Sequence, residues 1–331
     1  MARLHRRFGL GGADIASLCG INPYKPPLQL YLEKKGELSD DQADNARMRW
    51  GRRLELPIIK EFGYRTNRKV WRASGALRHP LHRWQRGNID SWQDRDGQKG
   101  VVEAKTADWT KRREWNQAGV PIAYYLQLQW YIYLAHVTFG SIVVAFGFRD
   151  NDFLYFDVER DQPTIDSIVR LAEQFWRGIK TNEPPDWTYD ESGLRLIQQL
   201  HPVAATPKKS LTLDSPEAVA KARRLLALRE TISLRTEQKD ELETWFKVQL
   251  GDASEAVVPT VATISWTNFT TKRLDQNALR EDQPAVAAQY TKEQISRRFS
   301  LTPYDPDAVE EVQDEPTAMV VTSGVRQIQL D

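Results

Sequence analysis

The sequence predicts an α/β fold, a mixed central sheet with helices on both faces, followed by a smaller, mostly helical α+β region. Three observations predict it. Helix-like and strand-like patterns alternate along residues 1–186, a hairpin pattern fills Gly87 to Thr106 (GNIDSWQDRDGQKGVVEAKT), and Ile122 to Val137 is apolar nearly all round, as suits a helix buried against a sheet. With 331 residues, 40% hydrophobic and 27% charged, the chain can bury a full core and has room for one large domain and a smaller one.

The elements follow in order. Gly9 to Gly12 is a glycine-rich block ahead of a short helix, Ala13 to Leu18, and a turn at Asn22-Pro23. Backbone N–H groups of such a block can approach a phosphate, and the same glycines also suit a tight turn. Pro26-Pro27 starts a helix over Leu28 to Lys35, ended by Gly36, and a polar stretch, Ser39 to Asn45, separates it from the next. That next helix should carry Met48, Leu54, Ile58, Ile59 and Phe62 near one stripe, with Pro57 forcing a kink or restart just after Glu55. A strand and turn between Lys69 and Leu81, and an Arg78-His-Pro connector, lead to a strand that ends at Asp90. After Ile122 to Val137 come strands at Ser141 to Phe148 and Phe153 to Glu159, a helix at Thr164 to Ile179, and a closing Glu183-Pro-Pro.

The hairpin carries the chemistry. Glu103 and Lys105 stand two apart on its second strand, Val101 to Thr106, so both project from one face while Val102 and Ala104 project from the other. The polar turn, with Gly97 and Gly100, brings Asp90 beside them. Two carboxylates on one sheet face are costly unless neutralised, and a hard divalent cation does this with oxygen ligands, here Asp90 and Glu103. Water on such an ion becomes acidic, and Lys105 would offset charge building on a phosphate, so the arrangement suits phosphodiester hydrolysis. As a bare pattern, Asp, twelve residues, Glu-x-Lys also fits the wet face of any amphipathic hairpin.

Charge points the same way. Residues 1–186 hold 29 Lys and Arg against 23 Asp and Glu, and residues 187–331 hold 17 against 22. Between Arg47 and Arg113 stand 18 basic and 7 acidic residues, so the carboxylates sit in a basic segment suited to a polyanion. Trp109, Lys111, Arg112, Arg113 and Trp115 interleave cations with indoles, a mix that fits either base stacking with phosphate contact or a helix packed on the sheet. Tyr124, Gln127 and Tyr131 share one helix face. Cys19 alone permits no internal disulfide and no four-cysteine cluster. No apolar run nears the ~20 residues of a membrane helix, and the start of the chain lacks an apolar signal core, so a cytoplasmic protein without membrane partners is expected.

Four blocks, RRFGLGGADIASLCGINPYKPP, WGRRLE, the hairpin and YYLQLQWY, in this order and rough spacing resemble the YqaJ-type viral recombinases. These are relatives of phage lambda exonuclease within the PD-(D/E)XK nuclease superfamily, and the likeness covers roughly residues 5 to 186. The resemblance implies a nuclease fold and a Mg²⁺- or Mn²⁺-dependent exonuclease that digests linear double-stranded DNA from an end, 5′ to 3′, leaving 3′ single strands for an annealing recombinase. It also implies two ions, held by Asp90, Glu103, the Ala104 carbonyl and, directly or through water, Glu55 of WGRRLE. Gln127 of the YxxQ block would face the metal site, Lys105 would act on the phosphate, and Arg52, Lys111, Arg112, Tyr124 and Gly12 would contact DNA. In the lambda-type relatives an arginine and a serine hold the terminal 5′-phosphate. Here Arg6 falls at the arginine position and Ala13 where the serine would be, so only a modest preference for 5′-phosphorylated ends is expected. The same resemblance suggests a ring-shaped trimer and a bacterial or phage-infected host cell.

Beyond a nuclease domain at 1–186 and a linker at 187–214, with His201 to Lys209 rich in Pro, Ala and Lys, the pattern from Ser215 to Gly251 reads as one long helix or a hairpin broken near Thr236. A strand at Val261 to Trp266, a helix including Gln276 to Glu281 and a returning strand at Arg297 to Leu301 would complete a unit over 215–303. Asp305 to Asp331, with seven acidic residues and one Arg, reads as a disordered acidic tail from 304 onward, with a terminal segment at Val320 to Leu330. Two other readings share the pattern: a structure-specific or restriction-type endonuclease, and a non-catalytic DNA-binding module on a nuclease fold.

Overall fold

The computed structural model describes residues 7–39, 45–147, 149–204, 210–292 and 297–304. Arg6, the acidic tail, residues 40–44 of the polar stretch and residues 205–209 of the linker lie outside the described residues. The chain divides into two units, Met1–Leu200 and His201–Asp331.

The first unit opens with α1, Gly12–Leu18, and α2, Pro27–Lys35, which ends at Gly36 in the left-handed region (φ 79°). Helix α3, Ala46–Thr66, starts on Asn45, whose side-chain oxygen accepts the Met48 N–H at 2.9 Å. Pro57 sits inside α3, and the helix continues from Ala46 to Thr66 without the restart expected after Glu55. The carbonyl that Pro57 leaves unbonded belongs to the exposed Arg53, where water can take the lost bond, while Ile58, Ile59 and Phe62 are buried and hold the far half in place.

Strands β1, Lys69–Arg72, β2, Leu77–Arg78, β3, Arg86–Gly87, β4, Ser91–Arg95, and β5, Gln98–Thr106, follow. The hairpin is therefore β4 and β5, with its turn at Asp96 and Gly97, both at positive φ. Asp90 does not end a strand as expected but stands in the bend just before β4, and Gly100 is a strand residue, needed because a Cβ there would meet the Phe139 ring 2.5 Å away. A 3₁₀ turn at Trp109–Lys111, α4, Arg112–Ala118, α5, Ile122–Ala135, β6, Phe139–Ala145, β7, Phe153–Glu159, and α6, Gln162–Thr181, continue the chain. Helix α7, Glu191–Leu200, falls where the sequence pattern suggests a linker and extends this unit past Pro185. Among its residues Ser192, Gly193 and Leu196 are buried.

The five-stranded sheet runs β1-β4-β5-β6-β7, with β5 and β6 parallel and the other pairs antiparallel, so the expected mixed sheet is what forms. Helices cover both faces. Val102 and Val143 pack on Ile58, Ile59 and Phe62 of α3, whereas Val101, Ile142 and Val144 share the larger core with Leu128, Trp130 and Ile132 of α5. Burial of α5 on all sides explains why its sequence shows no polar stripe.

In the second unit, α8, Pro216–Leu250, is a single unbroken helix of 35 residues, not a hairpin. Ser215 caps it, accepting the Ala218 N–H at 3.1 Å, and at 1.5 Å per residue it is ~50 Å long. Strands β8, Glu255–Val258, and β9, Ala262–Ser265, pair antiparallel, followed by α9, Gln276–Asp282, and α10, Pro284–Tyr290. The strand expected at Arg297 to Leu301 is absent among the described residues. The partner of β9 is instead β8, which the sequence did not reveal because Glu255–Val258 is only four residues long. No helix among the described residues is long and apolar enough to cross a membrane.

One polar network ties the sheet to the α3–β1 turn. Arg68 grips Asp157 of β7 with two nitrogens (2.7 and 2.6 Å) and donates to Gln93 of β4 at 3.0 Å. Gln93 donates to Ser141 of β6 at 2.7 Å, and Ser141 donates to Asp157 at 2.5 Å. Burial alone would raise the Asp157 carboxyl, but the hydrogen bonds from Arg68 and Ser141, with the charges of Arg68 and Arg95, outweigh it and hold the carboxyl below its ordinary 3.8. Because the folded-state pKa is depressed, this stabilisation is complete above the ordinary carboxylate range and is lost as pH falls through the folded value. We expect Arg68→Met to cost roughly 1.5–3 kcal/mol in urea melts at pH 7, the worth of a hydrogen bond to a charged group. The gap to the parent protein should narrow once pH is taken below 3.8; a gap of constant size would assign the loss to packing instead.

Candidate active site

Strand β5 presents Glu103 and Lys105 on the face that α5 covers, and α5 supplies Gln127 above them. The Lys105 ammonium donates to Glu103 Oε1 at 2.6 Å and to Gln127 Oε1 at 3.2 Å, and Gln127 Nε2 donates to the same Glu103 oxygen at 2.6 Å. Gln127 also donates to the Tyr131 hydroxyl at 3.1 Å. Asp90 reaches the cluster from the bend before β4, where its Oδ2 accepts the Ala104 N–H at 2.8 Å.

Close approach at this point needs two residues without side chains. A Cβ on Gly87 would lie 2.8 Å from the Tyr131 ring, and one on Gly12 would meet that ring and its hydroxyl. The glycine block and the segment before Asp90 therefore both close on the Tyr131 ring, whose hydroxyl accepts from the Gln127 amide one turn earlier on α5. Sequence reasoning placed Tyr131 on this face and gave it no role; its i+4 spacing from Gln127 was the available signal.

The cluster is electrostatically incomplete. Glu103 is buried at 4% exposure, and its Oε2 has no hydrogen-bond partner among the described residues. Burial first, and then the Glu103 charge, push the Asp90 carboxyl up to about 8, against the pull of the Ala104 N–H and of Lys105. Burial and then Glu103 also raise Glu55, on α3, opposed by Arg72 and Lys105. For Lys105 burial is the largest influence and lowers the ammonium, yet the Glu103 charge and hydrogen bond, followed by Asp90 and Tyr124, leave its pKa raised. Lys105 is thus a cation at neutral pH, 4.8 Å from the centre of the Tyr124 ring.

These features fit a divalent cation. An orphaned carboxylate oxygen beside a second carboxylate that resists ionisation is an arrangement a hard cation relieves, and oxygen donors are what such an ion takes. Asp90 and Glu103 stand together; Glu55 bears on them through its charge. Among the described residues no three His, Cys, Asp or Glu side chains are drawn close enough to form a ready-made metal cage.

The other expected residues lie around this centre. Tyr124 is half-buried and stacks on the buried Trp115 (5.7 Å between rings), Arg52 is exposed on α3, and Lys111 is exposed and paired with Glu114 at 2.9 Å. Arg112 is half-buried, with its Nε unpartnered among the described residues. Within the Trp and Lys/Arg segment, Trp115 is buried in the core, as a helix packed on the sheet requires, while Trp109 is 72% exposed. Gly12 is buried against Tyr131, and Ala13 is exposed beside it.

Residues 3–138 match the YqaJ-like viral recombinase domain. The chain is 27% identical over 300 residues to the uncharacterized protein YqaJ of Bacillus subtilis, covering 90% of this chain and 92% of that one. Among solved structures it is similar to an alkaline exonuclease from Laribacter hongkongensis (TM-score 0.48, 18% identity, 60% of this chain and 98% of that one). It is also similar to a phage-related exonuclease from Haemophilus somnus (TM-score 0.42, 14% identity, 53% and 96%). The four sequence blocks, brought to one centre by β5, α5 and the glycine segments, thus lie in or around the region, residues 3–138, that is similar to the YqaJ-like viral recombinase domain.

Proposed function

We propose that this protein is a DNA exonuclease, dependent on Mg²⁺ or Mn²⁺, that hydrolyses phosphodiester bonds of linear double-stranded DNA inward from an end. The proposed direction is 5′ to 3′, and the 3′ single strand it leaves would pass to an annealing recombinase. The observation that carries the reading is the Lys105 ammonium held between Glu103 and Gln127 beside the unpartnered Glu103 oxygen. The similarity of residues 3–138 to the YqaJ-like viral recombinase domain supports it.

Asp90 and Glu103 would hold the cation, with the Ala104 carbonyl, and Glu55 would serve a second ion. When bound, the cation neutralises phosphate charge and acidifies a water. Lys105 keeps its proton, so it acts by charge and as a donor, not as a general base. Two of its three N–H groups are engaged by Glu103 and Gln127, leaving one for a phosphate oxygen, where charge grows in the transition state. Gln127 holds Glu103 and Lys105 in register. Arg52, Lys111, Arg112 and Tyr124 would meet the DNA around this centre, with the backbone at Gly12 and Ala13 near its end.

A digestion time course on end-labelled linear and covalently closed circular DNA tests the reading. Loss of label from linear DNA with the circle intact is expected, and nicking of the circle would favour an endonuclease. Glu103→Gln keeps the volume and removes the charge, so cleavage should fall at least ~100-fold, as when a key electrostatic group is lost. The same variant should lose the rise in melting temperature that Mg²⁺ or Mn²⁺ gives the parent. Undiminished cleavage by folded Glu103→Gln protein would sink the metal assignment. Lys105→Ala should stop cleavage yet leave duplex affinity, measured with Ca²⁺ in place of Mg²⁺, within a few-fold of the parent. One phosphate contact among many changes affinity little, whereas a charge at the scissile phosphate acts in the transition state; equal losses in binding and rate would reduce Lys105 to part of the basic surface.

A further inference from the structure

Strands β2 and β3 form a two-stranded ribbon outside the main sheet, in which Arg78 pairs directly opposite Arg86. Like charges facing each other across an antiparallel pair destabilise it. Arg83, in the turn between the strands, adds a third guanidinium and fixes the second, because its carbonyl accepts the Arg86 Nε–H at 3.0 Å. Arg78 and Arg83 are exposed, and neither has an ion-pair partner among the described residues. Burial, and then the charges of Arg78 and Arg83, hold Arg86 below its ordinary value. The charge of Glu173 on α6 bears on His79 and Tyr133.

The ribbon is mounted rigidly. Trp84 stacks on Trp176 of α6 (5.3 Å, 8° between rings), the Trp130 indole of α5 donates to the Arg86 carbonyl at 2.8 Å, and Gln85 is fully buried. The amino-terminal segment joins it: Leu10 donates to the Trp84 carbonyl and accepts from the Arg86 N–H at 2.9 Å, and Gly9 lacks the Cβ that would press on the Arg86 stem. The residue after Arg86 is Gly87, which touches Tyr131 and through it Gln127. Asp90 follows four residues after Arg86, so their Cα atoms are at most ~14 Å apart.

We infer that Arg78, Arg83 and Arg86 form a second binding site for DNA, taking the sugar–phosphate backbone of a strand close to the bond being cut. The site rests on the nuclease reading and adds to it a grip outside the catalytic cluster. The exposed Arg78 and Arg83 guanidinium groups, held this stiffly beside Arg86, gain from a polyanion that bridges them, and arginine forks match phosphate oxygens. At 3.4 Å of axis per nucleotide the reach from Asp90 corresponds to about four base pairs, which places the grip on the same end of the duplex as the chemistry.

The test uses the full chain with Arg78→Gln/Arg83→Gln and, as a charge-keeping control, Arg78→Lys/Arg83→Lys. Binding of a labelled duplex is measured by anisotropy with Ca²⁺ over a range of salt, and cleavage with Mg²⁺ is measured at saturating DNA. The Gln pair should weaken binding roughly tenfold and flatten the slope of log K against log salt by about 2, at nearly one unit for each phosphate no longer neutralised. The Lys pair should restore the slope, and cleavage at saturation should stay close to the parent rate. An unchanged slope for the Gln pair, or a flattened slope that the Lys pair fails to restore, overturns the site while leaving the nuclease reading intact. A parent protein that binds no duplex overturns both, and its cleavage assay separates that case from the others.

Discussion

The structure depends on holding two acidic side chains, Asp90 and Glu103, side by side and largely out of water. That is an unfavourable arrangement for a folded chain, since each carboxylate loses hydration and repels the other. Lys105 and Gln127 meet the cost on one Glu103 oxygen only, and the second is left without a partner among the described residues. The centre is therefore built for something positive to arrive, and the surrounding elements are arranged so that it cannot relax: β5 is paired on both sides, and α5 is buried over most of its length.

Lys105 is decided by the balance between burial and its neighbours. Burial alone would tend to neutralise it, and in a site with one fewer carboxylate it would be a candidate base. Glu103 and Asp90 reverse that outcome and keep it charged. Tyr131 plays the corresponding mechanical part, because the absence of side chains at Gly12 and Gly87 lets two segments remote in sequence close on one ring. A glycine block that could pass for a simple turn thus becomes a wall of the site.

The second unit contrasts with the first. Helix α8 buries only Leu250, and Ile232, Leu234, Leu242 and Trp245 remain more than half exposed along it. Its order comes from capping by Ser215 and Pro216, and from exposed i,i+4 pairs such as Lys221 with Glu217 (2.6 Å), rather than from a core.

Sequence alone determined the elements whose side chains repeat with one period and face one environment. The alternation of Val101 to Thr106 fixed which side Glu103 and Lys105 share, the all-round apolarity of Ile122 to Val137 marked a buried helix, and the Ser215-Pro216 start marked α8. Four separated blocks also carried the family resemblance. Tertiary structure decided whatever depended on contacts between distant residues. Asp90 proved to stand in a bend that its neighbours' pattern concealed, Pro57 was tolerated in α3 where the carbonyl it leaves unbonded belongs to the exposed Arg53, and α7 formed with few buried residues of its own. Arg78, Arg83 and Arg86 became one cluster only when β2 paired with β3. Periodicity records what a residue's own element exposes and buries; it holds no record of which remote segment will supply the partner, and charge clusters, orphaned oxygens and close approaches are properties of those partners.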